Sequence, residues 1–157
     1  MTIRLLAIGK TDSKALQQLI SEYEKRLKHY VRFELIAIPD LKNTKNLSEI
    51  QQKEKEGELI LKKLDAIDVM VLLDENGKHY SSVGFSQFLQ KKMNAGIKRL
   101  VFVIGGPYGF SDAVYARSQG RISLSKMTFS HQMVRLFVVE QVYRAFTILR
   151  NEPYHHG

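Results

Sequence analysis

The sequence predicts an α/β domain built on a parallel sheet with helices on both faces. Three observations carry this expectation. Short apolar runs of strand length alternate with longer segments of helical period along the whole chain, the pattern of successive βαβ units. One run, Val69-Met70-Val71-Leu72-Leu73, is apolar on both faces, as central parallel strands are. No internal repeat, low-complexity tract or linker interrupts the alternation, so residues 1–157 read as one domain.

Residues 3–8 are expected as a short buried strand. Residues 13–29 carry helical spacing at Leu16, Leu19, Ile20, Tyr23 and Leu27. A second strand, 33–38, is stopped by Pro39 and followed by a polar loop holding Lys42 and Lys45. Ser48-Glu49-Ile50-Gln51 matches a capping box and starts a helix that runs to about residue 63. After the strand at 69–73, Asp74-Glu75-Asn76-Gly77-Lys78 reads as a turn. Residues 82–93 form a helix with Phe85, Phe88 and Leu89 inward, and 100–104 form a fourth strand. Ser111 caps a short helix reaching about residue 119, 121–124 make a fifth strand, and 131–150 make a last helix. On that helix Met133, Leu136, Phe137, Tyr143, Phe146 and Leu149 give an apolar face, which also suggests dimerisation.

Composition narrows the functional classes. The chain has no cysteine, which excludes disulfide scaffolds, thiolate metal sites and cysteine nucleophiles and fits a cytoplasmic protein. No apolar run approaches the roughly 18–20 residues of a membrane span. The amino terminus lacks the apolar stretch and cleavage site of a signal peptide and reads as the first strand. A net charge of +8, from 24 Lys+Arg against 16 Asp+Glu, points to a polyanionic partner, with nucleic acid the leading candidate. A basic, soluble surface is the plainer alternative.

Two turns and the tail hold the candidate chemistry. Gly105-Gly106-Pro107-Tyr108-Gly109 follows a strand and precedes a helix, where glycines let backbone amides approach a ligand. It lacks the lysine of a phosphate loop and the spacing of a dinucleotide fingerprint, and it also reads simply as a chain reversal. Ser123-Leu124-Ser125-Lys126-Met127-Thr128 either offers backbone bonds to an adenine-like ring with Leu124 and Met127 packed on it, or ends in an N-cap at Thr128 or Ser130. Arg135 and Glu140 are five apart and do not favour an intrahelical pair, so either is free to face a partner subunit. Arg144 is placed for an i, i+4 pair with Glu140. Tyr154-His155-His156 is a frayed end or, held by Pro153, a reactive one. No spacing among these residues suggests a metal site.

Together these segments resemble the SPOUT class of methyltransferases, and within it the enzymes that methylate N3 of a pseudouridine in large-subunit ribosomal RNA. The resemblance runs from Leu5-Leu6-Ala7-Ile8-Gly9-Lys10 through Phe33-Glu34-Leu35-Ile36-Ala37-Ile38-Pro39, Leu72-Leu73-Asp74, Ile104-Gly105-Gly106-Pro107 and the Ser123 turn to Pro153-Tyr154-His155. It implies a trefoil knot formed by the carboxyl-terminal segment. It implies S-adenosylmethionine held by Leu73, Gly105, Leu124, Ser125, Lys126, Met127, Thr128 and Phe129. It implies a homodimer in which the tail of one subunit approaches the cofactor of the other. The implied substrate is a 23S rRNA hairpin at the subunit interface of the assembled ribosome, with Lys10, Lys42, Lys45, Arg4 and the tail as candidate contacts. His156 departs from the basic residue other members often carry there. A ribosome-binding module that kept the fold without catalysis is the second reading.

The N3 of the base is an imide that must lose a proton before it attacks, and a histidine suits that task near neutral pH. His155 is the first candidate base, with Tyr154 orienting or stacking on the nucleotide. His131 is the second candidate, and Arg135 is expected to steady a phosphate or a developing charge.

Overall fold

Side-chain alternation along the first strand decides which helices cover which face. In the computed structural model, which describes residues 1–157, strand β1 (Thr2–Ile8) turns Ile3, Leu5 and Ala7 to one side and Leu6 and Ile8 to the other. It pairs in parallel with β2 (Arg32–Ile38) on one flank and β4 (Arg99–Ile104) on the other. Strand β3 (Val69–His79) lies beyond β4, and β5 (Gly120–Ser123) closes the far edge. The five strands are all parallel, in the order β2-β1-β4-β3-β5.

One face is covered by α1 (Lys14–Leu27), α3 (Ser82–Asn94) and α5 (His131–Leu149), whose core includes Ile20, Leu27, Leu89, Val138, Val139, Val142 and Phe146. The other is covered by α2 (Glu49–Lys62) and α4 (Asp112–Arg117) through Ile60 and Val114. The fold class read from the sequence is thus observed at the level of a parallel sheet covered on both faces. Each of the five helices begins at a serine whose hydroxyl accepts a backbone N–H three residues on: Ser13, Ser48, Ser81, Ser111 and Ser130. At Ser48 the Gln51 side chain also reaches back, completing the capping box. A short 3-10 turn at Thr44–Asn46 interrupts the polar loop.

Three details depart from expectation. Asp74-Glu75-Asn76-Gly77-Lys78, expected as a turn, lies within β3: the Asn76 N–H donates to Asp74 Oδ1 at 2.8 Å, but the chain does not leave the sheet there. Leu73 and Lys78 both register on Ile122, so the intervening residues bulge out and β3 resumes pairing through His79. Gly77 allows this, since a Cβ on it would lie 2.6 Å from the backbone of Ile122. On α5 the most deeply buried apolar side chains are the small and β-branched Val138, Val139, Val142 and Ala145, with the expected Phe146 beside them, while Met133 stays exposed. The helix is wedged between α1 and α3, and slim side chains let it approach the sheet. Leu19, expected inward on α1, is 43% exposed.

At the amino end of the sheet, Asp68 is fully covered and receives Arg99 Nε at 2.6 Å and Nη2 at 2.7 Å. Burial pushes the Asp68 carboxyl up. Hydrogen bonds from Arg99 and the Asp65 backbone overrule it and hold the group below the usual carboxylate range. Arg4 is likewise committed, donating to Glu34 at 2.8 Å with most of its side chain covered, so it is not a free RNA contact. Lys10, Lys42 and Lys45 are exposed.

Candidate active site

The carboxyl ends of β3, β4 and β5 open into a cleft of about 670 Å³, within the roughly 300–1,000 Å³ range of small-molecule sites. Its lining brings together Leu73, Gly105, Leu124, Ser125, Lys126, Met127, Thr128, Phe129 and His131 from the sequence-derived candidates. Each wall has a local cause. In the glycine turn, Gly109 takes a left-handed φ of 83° and returns its N–H to the Gly106 carbonyl at 3.2 Å. A Cβ on Gly105 would stand 2.9 Å from the Phe110 ring, and one on Gly106 would stand 2.4 Å from the buried carboxylate of Glu56. Burial pushes the Glu56 carboxyl up, and its Oε1 has no hydrogen-bond partner.

The opposite wall folds on itself. The Ser123 hydroxyl donates to the Ser125 carbonyl at 3.0 Å, and the Met127 N–H donates to Ser125 Oγ at 2.9 Å. These bonds turn Leu124, Met127 and Phe129 outward around the mouth, with Met127 75% exposed. Ser130 then caps α5, so of the two N-cap readings Ser130 is the one observed.

Arg135 sits differently from expectation. The residue is 1% exposed, and its guanidinium donates to the Gly9 carbonyl at 2.7 Å, the Ile8 carbonyl at 2.9 Å and Thr11 Oγ1 at 3.2 Å. Burial lowers its affinity for the proton, against the opposing pull of Asp12 and Asp40. The guanidinium is committed to two backbone carbonyls and the Thr11 hydroxyl inside the chain, and it is not among the residues that line the cleft. Arg135 instead ties the start of α5 to the end of β1, together with Gln132, which bridges the Asp12 N–H and the Lys10 carbonyl. That anchorage places His131 and Val134 against the cleft.

Tyr154 and His155 lie in a second cluster, outside the residues that line the cleft of their own chain. The end of the chain is folded down and not frayed. Asn151 adopts φ 55° after α5, and Tyr30 donates to Glu152. The Tyr154 hydroxyl donates to Glu140 Oε1 at 3.0 Å, so the Tyr23 hydroxyl, 3.2 Å away, donates to Tyr154. Burial and these two bonds hold the Tyr154 phenol above its ordinary range. Its ring stands edge-on to Tyr143 at 4.8 Å and lies beneath the Arg144 guanidinium at 4.7 Å. Arg144 donates to Glu140 Oε1 from Nη2 at 2.6 Å, the expected i, i+4 pair, and its Nη1 lies 3.2 Å from His155 Nδ1. A guanidinium only donates. Nδ1 is therefore the accepting nitrogen, and neutral His155 carries its proton on Nε2.

Sequence reasoning missed Asp74 and Tyr115. Both line the cleft, and the Tyr115 hydroxyl donates to Asp74 Oδ2 at 2.5 Å. The acidic residue at the end of an apolar strand was the available signal, masked by its place in a turn-like pentapeptide. Glu140 was also undervalued, since it joins Arg144 and Tyr154 in one cluster.

Comparison with known proteins agrees with this geometry. Residues 1–155 match the family described as "Predicted SPOUT methyltransferase". The chain is 71% identical over 156 residues to the ribosomal RNA large subunit methyltransferase H of Flavobacterium johnsoniae, with 99% of each chain covered. It is 70% identical to the protein of the same name from Flavobacterium psychrophilum and 67% to that from Christiangramia forsetii, again over 99% of each. With a parallel sheet, a cleft at its carboxyl edge and matches that span nearly its whole length, the chain belongs to the SPOUT methyltransferase family.

Proposed function

We propose that this protein transfers a methyl group from S-adenosylmethionine to N3 of a pseudouridine in 23S rRNA, on the assembled ribosome and as a homodimer. The observation that carries the reading is the cleft walled by Leu73, Gly105 and residues 124–129. Its relatives, named as ribosomal RNA large subunit methyltransferases H, supply the substrate class.

The lining suits this methyl donor. Leu124, Met127 and Phe129 offer apolar surface to a purine, the two turns offer backbone polar groups to its edges, and the carboxylate of Asp74 faces a ligand that is cationic. When bound, S-adenosylmethionine supplies an electrophilic methyl group on a positively charged sulfur.

The chain's own groups position the nucleotide and take the imide proton. We assign proton acceptance to His155 at Nδ1, the nitrogen that accepts from Arg144. Arg144 must release that nitrogen first, and an oxygen of the incoming nucleotide is suited to draw the guanidinium away. Tyr154, kept protonated by its partners, stacks on or orients the base. His131, exposed at the cleft, is the second candidate acceptor.

His155 does not line the cleft of its own chain, which supports a site completed by the tail of a second subunit. Apolar Leu124, Met127, Phe129 and Met133 at the surface give that subunit something to cover. The path of α5 supports the carboxyl-terminal trefoil knot. After β5 at one edge of the sheet, α5 returns until Arg135 reaches Ile8 at the end of β1 and Gly9 just beyond it.

The reading is tested by incubating ribosomes from a strain lacking this gene with methyl-labelled S-adenosylmethionine and mapping the modified nucleotide. Label at one pseudouridine of 23S rRNA is expected. Folded, donor-bound protein that labels no rRNA refutes it and leaves a ribosome-binding module.

A further inference from the structure

We propose that Asp74 makes the cleft selective for the cationic methyl donor over the neutral thioether left after transfer. The inference rests on the S-adenosylmethionine reading above.

The charge balance of the cleft is the reverse of the balance of the chain. The protein carries +8 overall, yet Asp74 and Glu75 line the cleft against a single permanent cation, Lys126. His79 and His131 are the other titratable groups of the lining apart from two tyrosines, Tyr108 and Tyr115. Glu75 is exposed and screened by solvent, whereas Asp74 is half-buried, so its charge acts through less water. No lysine or arginine forms an ion pair with Asp74.

Asp74 is also held in place. The Asn76 N–H fixes Oδ1 at 2.8 Å and the Tyr115 hydroxyl fixes Oδ2 at 2.5 Å. Burial, and then the bond to Asp74, pushes the Tyr115 phenol up to about 12, so it remains a neutral donor at working pH. Arg121 packs its guanidinium 4.3 Å over the Tyr115 ring and steadies the ring without pairing with Asp74. The bulge in β3, with Leu73 and Lys78 both facing Ile122, is what delivers the carboxylate to the cleft. A carboxylate that is fixed, half-buried and without an ion-pair partner is a complement to a positive ligand.

The reaction removes that positive charge. The nitrogen lone pair forms the new C–N bond, the S–CH3 bond breaks with its electrons going to sulfur, and the imide proton goes to the base. Sulfur leaves as an uncharged thioether. Donor and product therefore differ by one methyl group and one charge, and a fixed carboxylate distinguishes them. Discrimination of this kind speeds the exchange of spent for fresh donor.

The test is calorimetric titration of the full-length protein with S-adenosylmethionine and with S-adenosylhomocysteine, comparing wild type with Asp74→Asn. A unit charge acting across several ångströms of partly screened cleft is worth a factor on the order of ten. The ratio of product Kd to donor Kd should fall by about that factor in the variant. Partial unfolding lowers both affinities equally and leaves the ratio intact. In wild-type protein the same ratio should fall as ionic strength rises, which serves if Asp74→Asn does not fold. A ratio unchanged by Asp74→Asn, or by salt where that variant is unfolded, overturns the role of Asp74 while the donor reading stands. Wild-type protein that binds neither ligand overturns both.

Discussion

Substituting Gly77 by alanine tests the joint between β3 and β5 on which the cleft is hung. A Cβ at this position would lie 2.6 Å from both the carbonyl carbon and the nitrogen of Ile122 and 2.8 Å from the carbonyl carbon of Arg121. Carbon atoms pack without repulsion at about 3.5–4.0 Å, so the two strands must separate by roughly 1 Å. The obstructing atoms are backbone and cannot rotate away. Overpacking of this kind costs about 1–3 kcal/mol, and the upper end applies here. For a chain of this length each kcal/mol moves the melting temperature by about 2–4 °C, so Gly77→Ala should melt roughly 6–12 °C below wild type. Thermal unfolding followed by circular dichroism at one fixed protein concentration measures this. Gly120→Ala is the control, because nothing lies within 4 Å of a Cβ there, and it should change stability by no more than about 0.5 kcal/mol. If the two alanine variants melt together, the close approach of Gly77 to Ile122 does not govern this joint. The bulge also carries Leu73 and Asp74 into the cleft, so the folded Gly77→Ala protein should bind S-adenosylmethionine more weakly.

Other consequences are open to direct measurement. Arg99→Ala strands the covered Asp68 carboxylate and should cost about 3–5 kcal/mol in chemical denaturation near neutral pH. Because Asp68 is held low, its contribution is present above its unfolded value and is lost as pH falls, so the two proteins should converge in acid. Glu56→Gln should act in the opposite direction. The Glu56 carboxyl is raised by burial, so the wild type loses stability as pH climbs through the folded value. The glutamine variant should therefore be the more stable at neutral pH and gain nothing in acid. A wild type more stable than Glu56→Gln above pH 7 would mean that the carboxylate has a partner when charged. His155→Ala should lower methyl transfer to ribosomes by about 10²-fold or more with little change in melting temperature, since it removes the proposed proton acceptor. Wild-type rates across pH would shift that role to His131. Tyr154→Phe removes the bond to Glu140 while keeping the ring, and should lower the rate less than Tyr154→Ala does.

The five strands, their helices and the parallel sheet are legible in the sequence because each depends on short-range pattern. Apolar runs such as residues 100–104 need no partner to declare themselves, and the Ser48-to-Gln51 box satisfies its own N–H groups within one turn. The two cleft walls are legible for the same reason, being backbone-rich turns placed directly after strands. Tertiary structure alone decided the rest. It packed Arg135 inward onto carbonyls 126 and 127 residues away. It joined Tyr154 to Tyr23 across 131 residues and Asp74 to Tyr115 across 41. It also converted an apparent turn at residues 74–78 into a bulge, because β5 happened to pass where Gly77 leaves room. Local propensity reports on the chain within a few residues. The partner of a polar side chain is chosen by packing of the whole sheet, and no residue type announces it in advance.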